Sequence, residues 1–84
     1  MKDYIKEDII RHLSNNTEAV KALNDYLINH INQDKPILAL VDDEEFGKLQ
    51  DRVIDSMSAV KATIAAAGLM EKLNNLKENK EDVQ

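Results

Sequence analysis

The chain contains no cysteine, one proline and two glycines among its 84 residues, and only 4% of the residues are aromatic. Without cysteine there is no disulfide framework, no thiolate metal site and no thiol nucleophile. So little glycine and proline, with abundant Ala, Leu, Lys and Glu, is typical of helices. The sequence therefore predicts an all-α protein, a helical bundle or a coiled-coil-like oligomer, whose core is near the lower limit for independent stability.

Long uncharged runs and basic clusters are also missing. The longest uncharged apolar run, Ala62 to Met70, is too short to cross a bilayer, and the N-terminal residues lack the apolar core of a signal peptide. A net charge of −5 argues against direct nucleic-acid binding, which needs clustered Lys and Arg. We therefore expect a cytoplasmic protein that contacts neither membrane nor nucleic acid, in keeping with a small bacterial or phage accessory protein.

The longest periodic segment is 43–78. Asp42 followed by Glu45 matches a capping box at its start. Apolar residues then recur every three or four positions: Phe46, Leu49, Val53, Met57, Val60, Ile64 and Ala67. A mid-helix glycine costs only ~1 kcal/mol, so we expect one helix that continues through Gly68. The alternative is a break at Gly68, after which the leucines fold back.

A second apolar series in the same segment follows a strict heptad. We call it the alanine–leucine stripe; it consists of Ala59, Ala62, Ala66, Leu69, Leu73 and Leu76. Its centre is predicted to lie roughly 180–200° around the helix from the first series, at ~100° per residue. No segment of the chain is left to cover it. We therefore expect it to be an oligomer interface, covered by a second copy of the chain or by a different protein.

The N-terminal half predicts two shorter helices, 3–14 and 17–32, separated by Ser14-Asn15-Asn16. They would form a helix hairpin that packs on the long helix. The apolar connector 36–41 follows Pro36 and is expected to pack over the end of that hairpin as a helical turn or coil, with an exposed docking segment as the alternative. Residues 1–78 would form one domain, and the charged tail 79–84 would fray.

The residues that could carry chemistry are few. His12 follows Asp8 by four residues, and His30 precedes Asp34 by four, so two His–carboxylate pairs could in principle bind a metal. A hairpin would place the two pairs at opposite ends, which disfavours that site. We find no glycine-rich phosphate loop and no nucleophile with a base. We expect no enzyme activity, cofactor or metal.

Acidic residues cluster at the start of the long helix: Asp42, Asp43, Glu44, Glu45, Asp51 and Asp55. Helix capping and solvation explain such a cluster, although it could also dock on a basic protein surface. The sequence thus favours a non-enzymatic protein–protein interaction module, an oligomeric adaptor or inhibitor that acts through helix–helix contacts. The alternative is an acidic nucleic-acid mimic that blocks a DNA- or RNA-binding protein.

Overall fold

The computed structural model describes residues 2–82, with side chains as far as residue 77. Within this range the chain forms helix α1 (Asp3–Asn32), a short 3-10 helix (Ile37–Leu40) and helix α2 (Glu44–Asp82), and it contains no strand. The two long helices pack side by side and antiparallel. The predicted all-α class is confirmed. So is the continuous C-terminal helix, which passes through Gly68 with no neighbour close to that residue.

The predicted break in the N-terminal half is wrong, because α1 is one helix from Asp3 to Asn32. Two polar residues at the predicted break, Asn16 and the adjacent Thr17, have hydrogen-bond partners compatible with a helix, and Ser14 and Asn15 are exposed on it. Thr17 Oγ1 donates to the carbonyl oxygen of Leu13, one turn earlier, at 3.0 Å. Asn16 Nδ2 reaches across to α2 and donates to Ser56 Oγ at 3.0 Å. The hairpin in this protein therefore consists of α1 and α2, and not of two halves of α1.

The contact between the helices follows one heptad spacing on each. We call it the seam; it consists of Ile5, Ile9, His12, Asn16, Ala19, Leu23, Tyr26 and His30 in α1, and Phe46, Leu49, Val53, Ser56, Val60, Thr63, Ala67 and Met70 in α2. Every seam residue is buried or half-buried, and the alternating steps of three and four are those of a coiled coil.

Two residues of the first apolar series of α2, which we expected to pack on the N-terminal helices, lie outside the seam. Met57 and Ile64 are each 51% exposed, while Ser56 and Thr63, one position earlier, face α1. Both polar side chains can occupy the seam because each hydroxyl donates to a carbonyl oxygen of its own helix. Ser56 Oγ donates to Val53, and Thr63 Oγ1 donates to Ala59. Burial of the polar pair is thus compensated locally, and two large apolar side chains are left outside.

The turn between the helices has defined ends. Asp34 adopts a left-handed conformation (φ 54°) just after α1, its N–H donates to the carbonyl oxygen of Ile31, and Pro36 prevents further helix. At the start of α2, Asp43 Oδ1 accepts from the N–H groups of Glu45 (2.9 Å) and Phe46 (3.3 Å). The cap is therefore Asp43, one residue after the predicted Asp42.

The hairpin is a thin ribbon of 71 × 21 × 13 Å. Lys2 and Ile5 lie beside Ala67, Met70 and Asn74, so the residues of α2 that follow Asn74 extend past the start of α1. We call this extension the overhang. It continues helically to Asp82, beyond the predicted end at residue 78. The last two residues of the predicted tail, 83 and 84, lie outside the described residues.

The corrected cap can be tested with neighbouring aspartates. Asp43→Ala removes an acceptor for two N–H groups at the start of α2, so we expect a lower midpoint of thermal unfolding. Asp42→Ala is the matched control, because Asp42 is exposed and gives up the same charge. Circular dichroism melts of both variants measure the difference. An equal loss in the two variants, or a larger loss for Asp42→Ala, would contradict the assignment.

Candidate functional site

The alanine–leucine stripe lies directly beside the seam, because the seam is shifted around α2 from the first apolar series. Its members from Ala59 to Leu69 each precede a seam residue by one position, as Ala59 precedes Val60 and Leu69 precedes Met70, and Leu73 and Leu76 continue the same spacing beyond the seam. Ala59 is half-buried, Ala62 and Ala66 are exposed, and Leu69, Leu73 and Leu76 are 58%, 56% and 56% exposed. The predicted angle of 180–200° separates the stripe from the first apolar series. Its angle to the seam, which contains Ser56 and Thr63 in place of Met57 and Ile64, is one step of the helix, ~100°. The stripe is therefore exposed to solvent, next to the line along which α2 contacts α1.

The leucine end of the stripe is the part that another helix can approach most freely. Leu76 lies on the overhang, where α1 no longer runs beside α2. Farther back, the small side chains of Ala62 and Ala66 would let a second backbone come close. These features suit a helix-packing surface, and the assignment of the stripe as an interface stays a prediction.

A second exposed apolar surface is the tip of the hairpin, formed by the end of α1 and the connector. Its members are Ile28, Ile31, Ile37, Leu38 and Val41, which are 55% to 78% exposed. Only Leu40 of the connector is half-buried, and it lies beside Phe46. The expectation that the connector packs over the hairpin end is therefore wrong for most of its residues. A four-residue 3-10 turn is too short to bury both of its sides against one helix end.

The acidic residues at the start of α2 have separate roles. Asp43 caps the helix, Glu44 Oε1 lies 3.8 Å from Lys48 Nζ, and Glu45 supplies an N–H to the cap. Asp42, Asp51 and Asp55 are exposed to solvent. Capping and a surface ion pair thus account for part of the cluster. Docking of the cluster on a basic partner stays a prediction.

Asp43 also joins the start of α2 to α1, through a hydrogen bond from the hydroxyl of Tyr26 to Asp43 Oδ2. This bond lowers the pKa of Asp43 below its usual value, and the N–H donors of Phe46 and Glu45 act in the same direction. The same bond raises the pKa of Tyr26, because the neutral phenol is the donor. The pair ties the turn end of the hairpin together whenever Tyr26 is protonated and Asp43 is ionised.

The two histidines are far apart and do not form a joint site. They lie 18 residues apart on one straight element, which corresponds to ~27 Å along α1. His30 is buried in the seam, where its Nε2 lies 2.9 Å from the carbonyl oxygen of Pro36; the ring therefore carries its proton on Nε2 to donate. Among the described residues, no three His, Asp or Glu side chains come together as a metal-binding group.

By length and composition alone, α2 contains a stretch that could cross a membrane, between Glu44 and Lys77, and little of that stretch is buried. The uncharged run Ala62 to Met70 is only part of it, because Asp55 and Lys61 interrupt the apolar residues that precede this run. In the hairpin, α1 runs beside α2 and carries Asp8, Arg11 and Glu18. Each charge at the centre of a bilayer costs about 2.5–3.5 kcal/mol on insertion scales. Insertion of the intact hairpin would therefore carry the cost of these charges as well.

Comparison with known proteins yields no relative. No family model matches the chain, and neither a curated protein nor a solved structure matches it. The surfaces and side chains described above are therefore the features from which a function can be inferred.

The pair formed by Tyr26 and Asp43 predicts a specific pH dependence. The folded-state pKa of Asp43 is lowered, so its contribution to stability is complete above the unfolded-state value of ~3.9 and is lost as the pH falls through the folded-state pKa. Tyr26→Phe removes the hydrogen bond from the Tyr26 hydroxyl, which is the largest cause of the lowered pKa of Asp43. We expect the variant to melt at a lower temperature than the wild type at pH 7 and the difference to shrink on acidification below about pH 4.

Tyr4→Phe is the matched control, because Tyr4 is 55% exposed and lies at the other end of α1. Its melting temperature should follow that of the wild type at every pH. A constant difference between Tyr26→Phe and the wild type from pH 7 to pH 3 would contradict the predicted linkage.

Proposed function

We propose that this chain is a small non-enzymatic protein–protein interaction module that works as a homo-oligomer through helix–helix contacts. Such a module would be an adaptor or an inhibitor that acts by binding another protein. Its main support is the amount of surface that a single copy leaves in water. The exposed alanine–leucine stripe and the exposed tip of the hairpin are consistent with it.

One copy of the chain exposes more surface to solvent than a compact protein of the same mass. A compact monomer of 9.5 kDa exposes ~5,000 Å², whereas this chain exposes 6748 Å². The radius of gyration is 20.0 Å, against ~12 Å for a compact domain of the same length. A protein-sized contact hides about 1,200–2,000 Å² in total. One partner's share of such a contact is ~800 Å², so the excess surface of one copy is about twice that share.

The interior of one copy is correspondingly small. Ala19, Val60 and Ala67 are the only buried apolar residues in the described part of the chain, and none of the large side chains there is fully buried. A two-helix contact with so little core resembles one layer of a domain, and domains are usually built from at least two packed layers. Association with another helical surface would supply the missing layer.

The alanine–leucine stripe is the surface on which a partner helix would be recognised in this proposal. Leu69, Leu73 and Leu76 offer apolar anchors at heptad spacing, and the alanines allow close approach farther along α2. An adaptor needs such a surface in addition to the one that joins its own copies. The apolar character of the stripe predicts contacts that are only weakly sensitive to salt.

Self-association is tested by the molar mass of the purified chain. Light scattering across a concentration series should give a multiple of 9.5 kDa, unchanged between low and high salt, because apolar contacts are not screened. A mass of one chain at every concentration, together with full helical content, would contradict the proposal. A complex that dissociates steeply with salt would instead support an acidic, electrostatic mode of binding.

A further inference from the structure

We propose that one broad face of the hairpin binds a second copy of this chain, so that two hairpins stack into a four-helix bundle. We call it the apolar face; it consists of Ile10, Leu13 and Val20 from α1 with Ile54, Met57 and Ile64 from α2. All six are at least 36% exposed. The inference rests on the proposed function and names the surface by which the copies would associate.

The six residues share one side of the ribbon because of how antiparallel helices wind. Each follows a seam residue by one position, as Ile10 follows Ile9 and Ile54 follows Val53. One further step turns the side chain by ~100° away from the seam. On two right-handed helices that run in opposite directions, that step leads to the same face of the pair. Val20, Ile54 and Met57 indeed line one shallow groove on this face.

Charge divides the two broad faces sharply. Of the 16 positions that follow a seam residue, three are charged: Lys6, Lys61 and Glu71. Of the 16 positions that precede one, eight are charged: Asp8, Arg11, Glu18, Asp25, Glu45, Lys48, Arg52 and Asp55. An ion pair of 3.1 Å between Arg11 and Asp8 lies on that opposite face. The hairpin is thus amphipathic, with one face poor in charge and the other face charged except along the alanine–leucine stripe of α2.

The apolar face is large enough for a stable dimer. The helices run side by side over the length of α1, whose 30 residues correspond to ~45 Å, and the ribbon is 21 Å wide. Each copy thus offers ~900 Å², against the ~800 Å² per partner of an ordinary stable interface. Since a thickness of 13 Å is that of a single layer, stacking two copies gives the two-layer arrangement of a bundle.

A second copy fits this face better than a lipid surface does. Helices that lie on membranes usually carry many basic residues on their polar side. Here the opposite face has five acidic and three basic residues, and the whole chain has a net charge of −5. Two copies related by a two-fold axis match each other's apolar area without any such requirement. The charged faces and the leucines of the alanine–leucine stripe stay outside this dimer, where another protein can reach them.

Three variants, each of which makes the net charge more negative by two, test the proposal by light scattering. Ile54→Glu with Met57→Glu places the charges on the apolar face, and we expect its mass to fall to that of one chain. Leu69→Glu with Leu73→Glu alters the alanine–leucine stripe and should keep the wild-type dimer mass. Lys72→Glu is the control at an exposed position outside the apolar face and the stripe, and it should also keep that mass.

A conservative probe covers the case in which the glutamates unfold the hairpin. The chain has no cysteine, so Met57→Cys and Ala62→Cys each introduce a single thiol. We expect alkylation of the Met57→Cys thiol to be at least tenfold slower at concentrations that give the dimer mass than after dilution. The Ala62→Cys thiol should react equally fast at both concentrations.

The outcomes separate this inference from the function on which it rests. A wild-type chain that stays monomeric contradicts both. A wild-type dimer that survives the changes at Ile54 and Met57 but is lost with those at Leu69 and Leu73 contradicts only the apolar face, and the same holds if the Met57→Cys thiol is never protected. Monomeric protein that binds phosphatidylcholine vesicles, with binding lost in the Ile54 and Met57 variant, would assign the face to lipid instead.

Discussion

The structure depends on a single contact, the seam between two antiparallel helices. That contact covers one stripe of each helix and leaves the remaining surface to solvent. Its side chains are of moderate size, and Asn16, Ser56, Thr63 and both histidines occupy positions that a stronger core would fill with leucine. One seam therefore provides a defined geometry but little buried apolar area. The other properties of the chain follow from this shortage.

Polar seam residues have a cost in stability and a benefit in specificity. Asn16 Nδ2 donates to Ser56 Oγ and reaches the carbonyl oxygen of Val53 at 3.5 Å, so it pairs one level of α1 with one level of α2. A single buried Asn is a known way to fix the register of a coiled coil. At the turn, Tyr26 and Asp43 link the same helices a second time. Register is thus set by hydrogen bonds at two levels, and affinity is left to surfaces outside the seam.

The apolar periodicity of the sequence was sufficient to predict a helical protein and a long C-terminal helix. It was not sufficient to predict the partner of that helix. Ser14-Asn15-Asn16 has the composition of a stop signal, and only contact with Ser56 shows that Asn16 belongs inside a helix. Similarly, Met57 is a better core residue than Ser56 by hydrophobicity. Ser56 nevertheless faces α1, because the register that packs the whole seam stabilises the hairpin more than burial of the single Met57 side chain would.

The two candidate surfaces also differ in how far the sequence alone predicts them. The alanine–leucine stripe lies on one helix, so its spacing is visible in the sequence, although the sequence did not show which neighbouring stripe of α2 faces α1. The apolar face needs residues from both helices, and its members become neighbours only when the direction and register of the hairpin are known. Spacing rules alone could have suggested it, since Ile9-Ile10 and Val53-Ile54 are adjacent apolar pairs, one facing the seam and the next facing outward.

The central claim is that one copy of this chain does not bury enough surface to be the complete folded unit. The most direct test is the thermal unfolding midpoint measured over a hundredfold range of protein concentration. If association completes the fold, the midpoint rises with concentration, because the associated state is favoured by mass action. A midpoint that is the same at every concentration, in a cooperative transition, would show that the single hairpin is stable alone and would contradict the account.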